Sequence, residues 1–301
     1  MSHDFFPGFA ERRIATPEAE LYARIGGSGP PLLCLHGFPQ THIAWRHVAQ
    51  ALASRFTVVA PDLRGYGASQ IVASDASHAA YSKRAMARDV VALMAALGFE
   101  RFGVAGHDRG GRVAYRLALD APERVAALAT LDIVPTLDTW EGLDYRAAFR
   151  TYHWMFLAQA APLPERLIGA DPDFYVERAI ASWLGKPDAI EPAALDAYRV
   201  AFRRPEAIHA ACEDYRAGFG IDLDNDRIDR QTGRRIVCPV LALWGGGPTT
   251  RNAGFDALGI WRSWASDVRG EAFPCGHFLM EELPERTATA LLAFFTTRVK
   301  E

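Results

Sequence analysis

Short apolar runs that end on glycine or proline, with helical stretches between them, constrain this chain most. Leu32-Leu33-Cys34-Leu35 runs into His36-Gly37-Phe38-Pro39, and residues 56–60 run into Pro61-Asp62-Leu63-Arg64-Gly65-Tyr66-Gly67. Residues 102–106 and 125–131 form a third and a fourth run. Such runs fit strands covered on both faces, as in a parallel sheet. A helix is predicted from Ser82, its N-cap, through Met86, Val90, Leu93, Met94 and Leu97 to a stop at Gly98. Strand–helix alternation of this kind implies an α/β layer architecture with right-handed crossovers.

The texture changes after Pro135. Aromatic and charged residues mix, with Trp140, Tyr145, Tyr152-His153-Trp154, Trp183, Tyr198 and Tyr215, and strand signals vanish. Residues 237–244 read as a strand again, residues 268–273 as a weaker one, and residues 285–295 as a terminal amphipathic helix. The expected layout is an α/β core of residues 1–135 and 231–301, interrupted by a helical lid over residues 136–230. Ligands in open α/β sheets bind outside the carboxyl ends of the strands. An insertion leaving from a strand end would roof that crevice.

Composition narrows the partners. With 33 basic and 36 acidic residues the net charge is -3, which argues against nucleic-acid binding. The longest apolar run, residues 90–97, is far below the ~18 residues of a membrane span. The start, Met-Ser-His-Asp-Phe-Phe-Pro, lacks the pattern of a signal peptide. Cys34, Cys212, Cys238 and Cys275 are scattered without zinc spacing. Free thiols in a reducing cytoplasm are expected. Gly26-Gly27-Ser28-Gly29 and Gly245-Gly246-Gly247 lack the context of a phosphate-binding loop and read as ordinary loops.

Gly106-His107-Asp108-Arg109-Gly110-Gly111 follows a strand and opens a helix over residues 112–119. It has the G-x-nucleophile-x-G form of a nucleophile elbow, with Asp108 where esterases carry serine. His277, in Pro274-Cys275-Gly276-His277-Phe278, comes last in chain order, where a hydrolytic base is expected. The usual slot for the orienting acid, after the 237–244 strand, reads Gly-Gly-Gly-Pro-Thr-Thr and holds no carboxylate before Asp256. Asp132, ending the 125–131 run, is the candidate instead, since a buried aspartate needs a partner. The amides of Phe38 and Arg109 are expected to form the oxyanion hole.

Together these residues resemble the α/β-hydrolase family, in its aspartate-nucleophile branch of epoxide hydrolases and dehalogenases. Many members of that branch carry Trp after the nucleophile; here stand Arg109 and, one turn on, Arg112. Guanidinium forks suit carboxylates, so a small haloacid substrate is expected. Gly-His-Asp-Arg-Gly-x-Arg, with Tyr152-His153-Trp154 and Cys212-Glu213-Asp214-Tyr215-Arg216-Ala217-Gly218, is similar to the haloacetate dehalogenases, fluoroacetate dehalogenases included. The resemblance implies that His153, Trp154 and Tyr215 bind the leaving halide. It also implies a homodimer, no metal and no cofactor. Leu137 and Thr139 stand where some members carry tyrosines.

The expected reaction is displacement of halide by Asp108, then hydrolysis of the resulting ester by water that His277, oriented by Asp132, deprotonates. An epoxide hydrolase is the alternative enzyme. A hydrolase-fold small-molecule receptor is the alternative outside catalysis.

Overall fold

The computed structural model describes residues 4–247 and 256–300. Its sheet has eight strands: β1 (Ala10–Ala15), β2 (Glu20–Gly26), β3 (Pro31–Leu35), β4 (Thr57–Pro61), β5 (Phe102–His107), β6 (Val125–Leu131), β7 (Val240–Gly245) and β8 (Val268–Phe273). They lie in the order β1-β2-β4-β3-β5-β6-β7-β8. β1 and β2 are antiparallel to their neighbours and every other pairing is parallel. The chain winds outward in both directions from the β3/β5 pair. That reversal of strand order opens a crevice at the carboxyl ends of β3 and β5.

The four apolar runs and the two later strand segments read from the sequence all form strands, within a few residues of the expected bounds. β7 starts at Val240 rather than 237, because Pro239 has no N–H for the ladder and Val237 is left exposed. β1 and β2 were not anticipated.

The core helices are α1 (Arg46–Leu52), α2 (Lys83–Ala96) and α3 (Asp108–Asp120), then α12 (Ala257–Trp264), α13 (Leu279–Glu282) and α14 (Pro284–Phe295). Ser82 caps α2 by accepting from the Ala85 amide at 3.2 Å, and Met86, Val90, Leu93 and Met94 are buried. α3 begins at Asp108, four residues before the expected start. The sheet is covered on both faces. Val90, Val104, Val113 and Leu128 pack on one side; Leu32, Ala105, Leu131, Leu291 and Phe295 pack on the other.

Eight helices run between β6 and β7: α4 (Thr136–Glu141), α5 (Tyr145–Arg150), α6 (Tyr152–Leu157), α7 (Leu163–Gly169), α8 (Pro172–Trp183), α9 (Pro192–Phe202), α10 (Pro205–Phe219) and α11 (Ile221–Gln231). They form a helical insertion leaving from the carboxyl end of β6. Among the described residues no helix is long and apolar enough to cross a membrane.

Candidate active site

The junction of β5 and α3 presents Asp108. Its φ is +46°, a left-handed conformation that few residues other than glycine adopt and that aspartate tolerates better than most. The surroundings leave no room for side chains. A Cβ on Gly37 would lie 2.4 Å from Asp108 Cβ, and one on Gly110 would lie 2.3 Å from the His36 carbonyl oxygen. The loop after β3 and the turn into α3 are therefore in backbone contact, with the Asp108 carboxylate between them.

Asp108 is fully buried. Its Oδ1 accepts from the Phe38 amide at 3.0 Å, and its Oδ2 lies 3.7 Å from His277 Nε2. On the other side of the imidazole, His277 Nδ1 lies 2.5 Å from Asp132 Oδ2. Asp132 also has positive φ, +52°. Its Oδ1 accepts from the Gly245 amide at 2.9 Å. The His36 side chain fixes the Phe38 loop. Its Nε2 accepts from the Leu63 amide at 3.0 Å, so Nδ1 carries the hydrogen and faces the Gly37 carbonyl at 3.1 Å. Burial lowers the pKa of this imidazole, in keeping with that neutral form.

Both arginines approach the Trp154 indole, their guanidinium carbons 5.8 Å (Arg109) and 4.4 Å (Arg112) from its ring centre. Arg109 is committed elsewhere as well. Its Nε and Nη2 donate to the Asp214 carboxylate of α10, with Nη2–Oδ1 at 2.5 Å. Its guanidinium stacks on the Tyr215 ring at 4.2 Å. Its Nη1 is buried and meets no hydrogen-bond acceptor among the described residues. Arg109 thus presents one nitrogen, not its full fork, for a ligand. Arg112 donates to the Val134 carbonyl and the Thr136 hydroxyl at 3.1 and 3.0 Å, and to the Thr139 hydroxyl at 3.3 Å. Thr139 therefore steadies an arginine, while Leu137 is core.

His153, Trp154 and Tyr215 come together in one aromatic wall. The Tyr215 ring centre lies 5.4 Å from Phe38, 5.7 Å from His153 and 6.2 Å from Trp154. Trp183 extends the wall, 4.5 Å from His153 and 5.7 Å from His277. All these rings are buried. The Trp154 indole N–H is buried without an acceptor among the described residues. Trp154 thus links the aromatic wall to the two arginines, and Phe38 links it to the Asp108 carboxylate.

Sequence reasoning missed several groups that support this set. Asp214 accepts from Lys83 and, at 2.7 Å, from the Tyr66 hydroxyl as well as from Arg109. Burial alone would raise its pKa, but Arg109 and Lys83 outweigh that and hold it at about 2. His107 is driven down to about 3, first by burial and then by the neighbouring His277. It is neutral, and its Nε2–H donates to the His277 carbonyl at 2.8 Å. No local pattern marks these groups, because each becomes meaningful only when distant elements meet. Among the described residues no group of three or more His, Cys, Asp or Glu side chains could hold a metal ion. Pro248, Thr249 and Thr250, in the usual slot for the orienting acid, lie outside the described residues.

Comparison with known proteins agrees with the fold. Residues 30–284 match the model of the alpha/beta hydrolase fold family. The chain is 44% identical to a fluoroacetate dehalogenase of Burkholderia sp over 292 residues, covering 97% of this chain and 95% of that one. It is 34% identical to a soluble epoxide hydrolase of Corynebacterium sp. (strain C12), covering 89% and 91%. A solved structure from Nostoc sp PCC 7120 assigned to the α/β hydrolases superposes with a TM-score of 0.93 at 49% identity, covering 96% and 98%.

Proposed function

The chain belongs to the α/β-hydrolase family, in the group that includes haloacetate dehalogenases, and from that premise we propose that it hydrolyses haloacetates to glycolate and halide through an ester on Asp108. The observation that carries this reading is a buried carboxylate, Asp108, at the head of a helix that also carries two buried guanidinium groups, Arg109 and Arg112, both close to the Trp154 ring. A neutral epoxide or haloalkane has no use for two buried cations, whereas a carboxylate does.

The distances support the following roles. Arg109 Nη1 and Arg112 hold the substrate carboxylate, which turns the halogen-bearing carbon toward Asp108. The Phe38 amide occupies Oδ1, so Oδ2 is the attacking oxygen. Its bond to carbon forms as the carbon–halogen bond breaks, and the halide leaves with the bonding electrons. His153, Trp154 and Tyr215 stabilise that charge as it develops. Water then gives a proton to His277 Nε2 and attacks the Asp108 carboxyl carbon. Oδ1 takes the negative charge of the tetrahedral state, already facing the Phe38 amide, with the Arg109 amide as second donor. Collapse releases glycolate and restores Asp108. His277 then passes its proton to solvent, and Asp132 stabilises the imidazolium until it does.

The test is to incubate the protein with fluoroacetate and chloroacetate and follow free halide. Release of neither overturns the proposal. Replacing His277 with Asn should trap the ester, read as added mass on the peptide holding Asp108. Similarity to the Corynebacterium enzyme and the phenol of Tyr215 favour the second reading, an epoxide hydrolase. Turnover of styrene oxide without halide release from either haloacetate would establish it. A cytoplasmic homodimer belongs to the same proposal. It is supported by resemblance and by four cysteines that are buried, free thiols, and a monomer in sedimentation velocity would remove the dimer from it.

A further inference from the structure

His277 is gripped by its backbone from both sides. Its amide donates to the carbonyl of Trp183, the last residue of α8 in the insertion, at 2.9 Å. Its carbonyl accepts from His107 Nε2 in the core. The residues flanking it are held by one carboxylate. Glu282 Oε2 accepts from the Gly276 amide at 2.9 Å. The same oxygen accepts from the Gly185 and Lys186 amides of the insertion at 2.8 and 2.9 Å. Glu282 Oε1 accepts from the Phe278 amide at 3.1 Å.

Glu282 is 5% exposed. A buried carboxylate is costly unless donors fill its lone pairs, and here four amides do so. They come from two segments that meet without side chains between them. A Cβ on Gly185 would lie 2.4 Å from the Gly276 nitrogen, and one on Gly276 would lie 2.2 Å from the Gly185 nitrogen. One carboxylate thus clasps the base-bearing loop to the insertion, on either side of the base.

We propose that Glu282 is a positioning residue for His277, and that it ties the competence of the base to the seating of the helical insertion. This rests on the reading that His277 drives hydrolysis of an Asp108 ester. His277 Nε2 stands 3.7 Å from Asp108 Oδ2, a gap that decides whether water can bridge base and ester. Misplacement by about 1 Å can cost two orders of magnitude in rate. An apolar residue at 282 would orphan four amides. A glutamine could keep the three donors on Oε2 but would turn its own N–H toward the Phe278 amide.

Rapid-quench kinetics with bromoacetate, whose good leaving group exposes the second step, separates the two half-reactions. The halide burst reports ester formation, the steady rate reports ester hydrolysis, and intact-protein mass reports ester occupancy. In Glu282→Leu the steady rate should fall by about tenfold or more while the burst rate stays within about threefold, with ester accumulating. Glu282→Gln should lie between that variant and the wild type. Gly185→Ala, which parts the two segments with Glu282 intact, should reproduce the pattern, so the test survives if the leucine variant does not fold. Burst and steady rates falling together without ester, or a steady rate unchanged in all three variants, overturns the proposal. If the wild type releases no halide and His277→Asn traps no ester, the fault lies in the functional reading, not in Glu282.

Discussion

Asp132 reaches His277 across an intervening strand. The residues stand at the carboxyl ends of β6 and β8, with β7 between them, yet Oδ2 and Nδ1 are 2.5 Å apart. The crossing is made possible by the end of β7. Gly245 donates its amide to Asp132 Oδ1, and a Cβ there would lie 2.2 Å from the Gly276 carbonyl oxygen. A strand that ends in glycine lets the acid of one neighbour pass to the base of the other.

Asp132→Asn should therefore leave the first half-reaction largely intact and slow the second by about two to four orders of magnitude. The check is a stoichiometric halide burst followed by a persistent ester on Asp108. Equal loss of burst and turnover would mean that Asp132 serves folding rather than the base.

Arg109→Met should raise KM for chloroacetate by about tenfold to a hundredfold, the loss of one charge-assisted contact. The fold should survive, because Asp214 keeps Lys83 and Tyr66 as partners. Steady-state kinetics with a thermal melt decides. A fall in kcat with unchanged KM would place Arg109 outside carboxylate binding.

Stability should depend on pH through Glu281. Burial pushes its carboxyl up to about 7, against the pull of Arg46 and a hydrogen bond from Tyr198. The folded protein therefore binds this proton more tightly than the unfolded chain, whose value is near 4.5. The contribution is fully present below that value and is lost as pH rises through 7. The slope approaches about 1.4 kcal/mol per pH unit between the two values. Unfolding of Glu281→Gln between pH 4.5 and 8 should lack that downward slope. Parallel curves for the variant and the wild type would refute it.

Gly37→Ala should displace the Phe38 loop from Asp108, because the new Cβ would meet Asp108 Cβ at 2.4 Å. Overpacking of this kind costs about 1–3 kcal/mol. Turnover should fall by about a hundredfold or more as the amide leaves Oδ1. Unchanged turnover in a halide assay would show that the loop yields without consequence.

The parallel strands were legible because strands buried on both faces need unbroken apolar runs, and β3, β5 and β6 have them. β1 has none: all its residues but one are exposed, so nothing in its composition separates it from a loop. β2 carried a usable signal in Leu21 and Ala23, both fully buried in alternation with more polar neighbours, but the pattern is short. Asp108, Asp132 and His277 were legible because each closes a run or sits in a glycine-marked turn. The hold of Asp214 on Arg109 was not. It joins residues 66, 83, 109 and 214, and no spacing within one element encodes a meeting of four. That hold leaves Arg109 with one nitrogen to offer where the sequence suggested two.

Arg109 belongs to the core by covalent bond and to the insertion by environment, since Asp214 and Tyr215, its two principal partners, are consecutive on α10. Exchanging helical insertions between related hydrolases would therefore re-dress a residue that the graft does not contain. The core would keep its arginine, but the orientation and the effective charge of that arginine would be inherited from the donor. Substrate choice in such a chimaera should follow the roof rather than the floor.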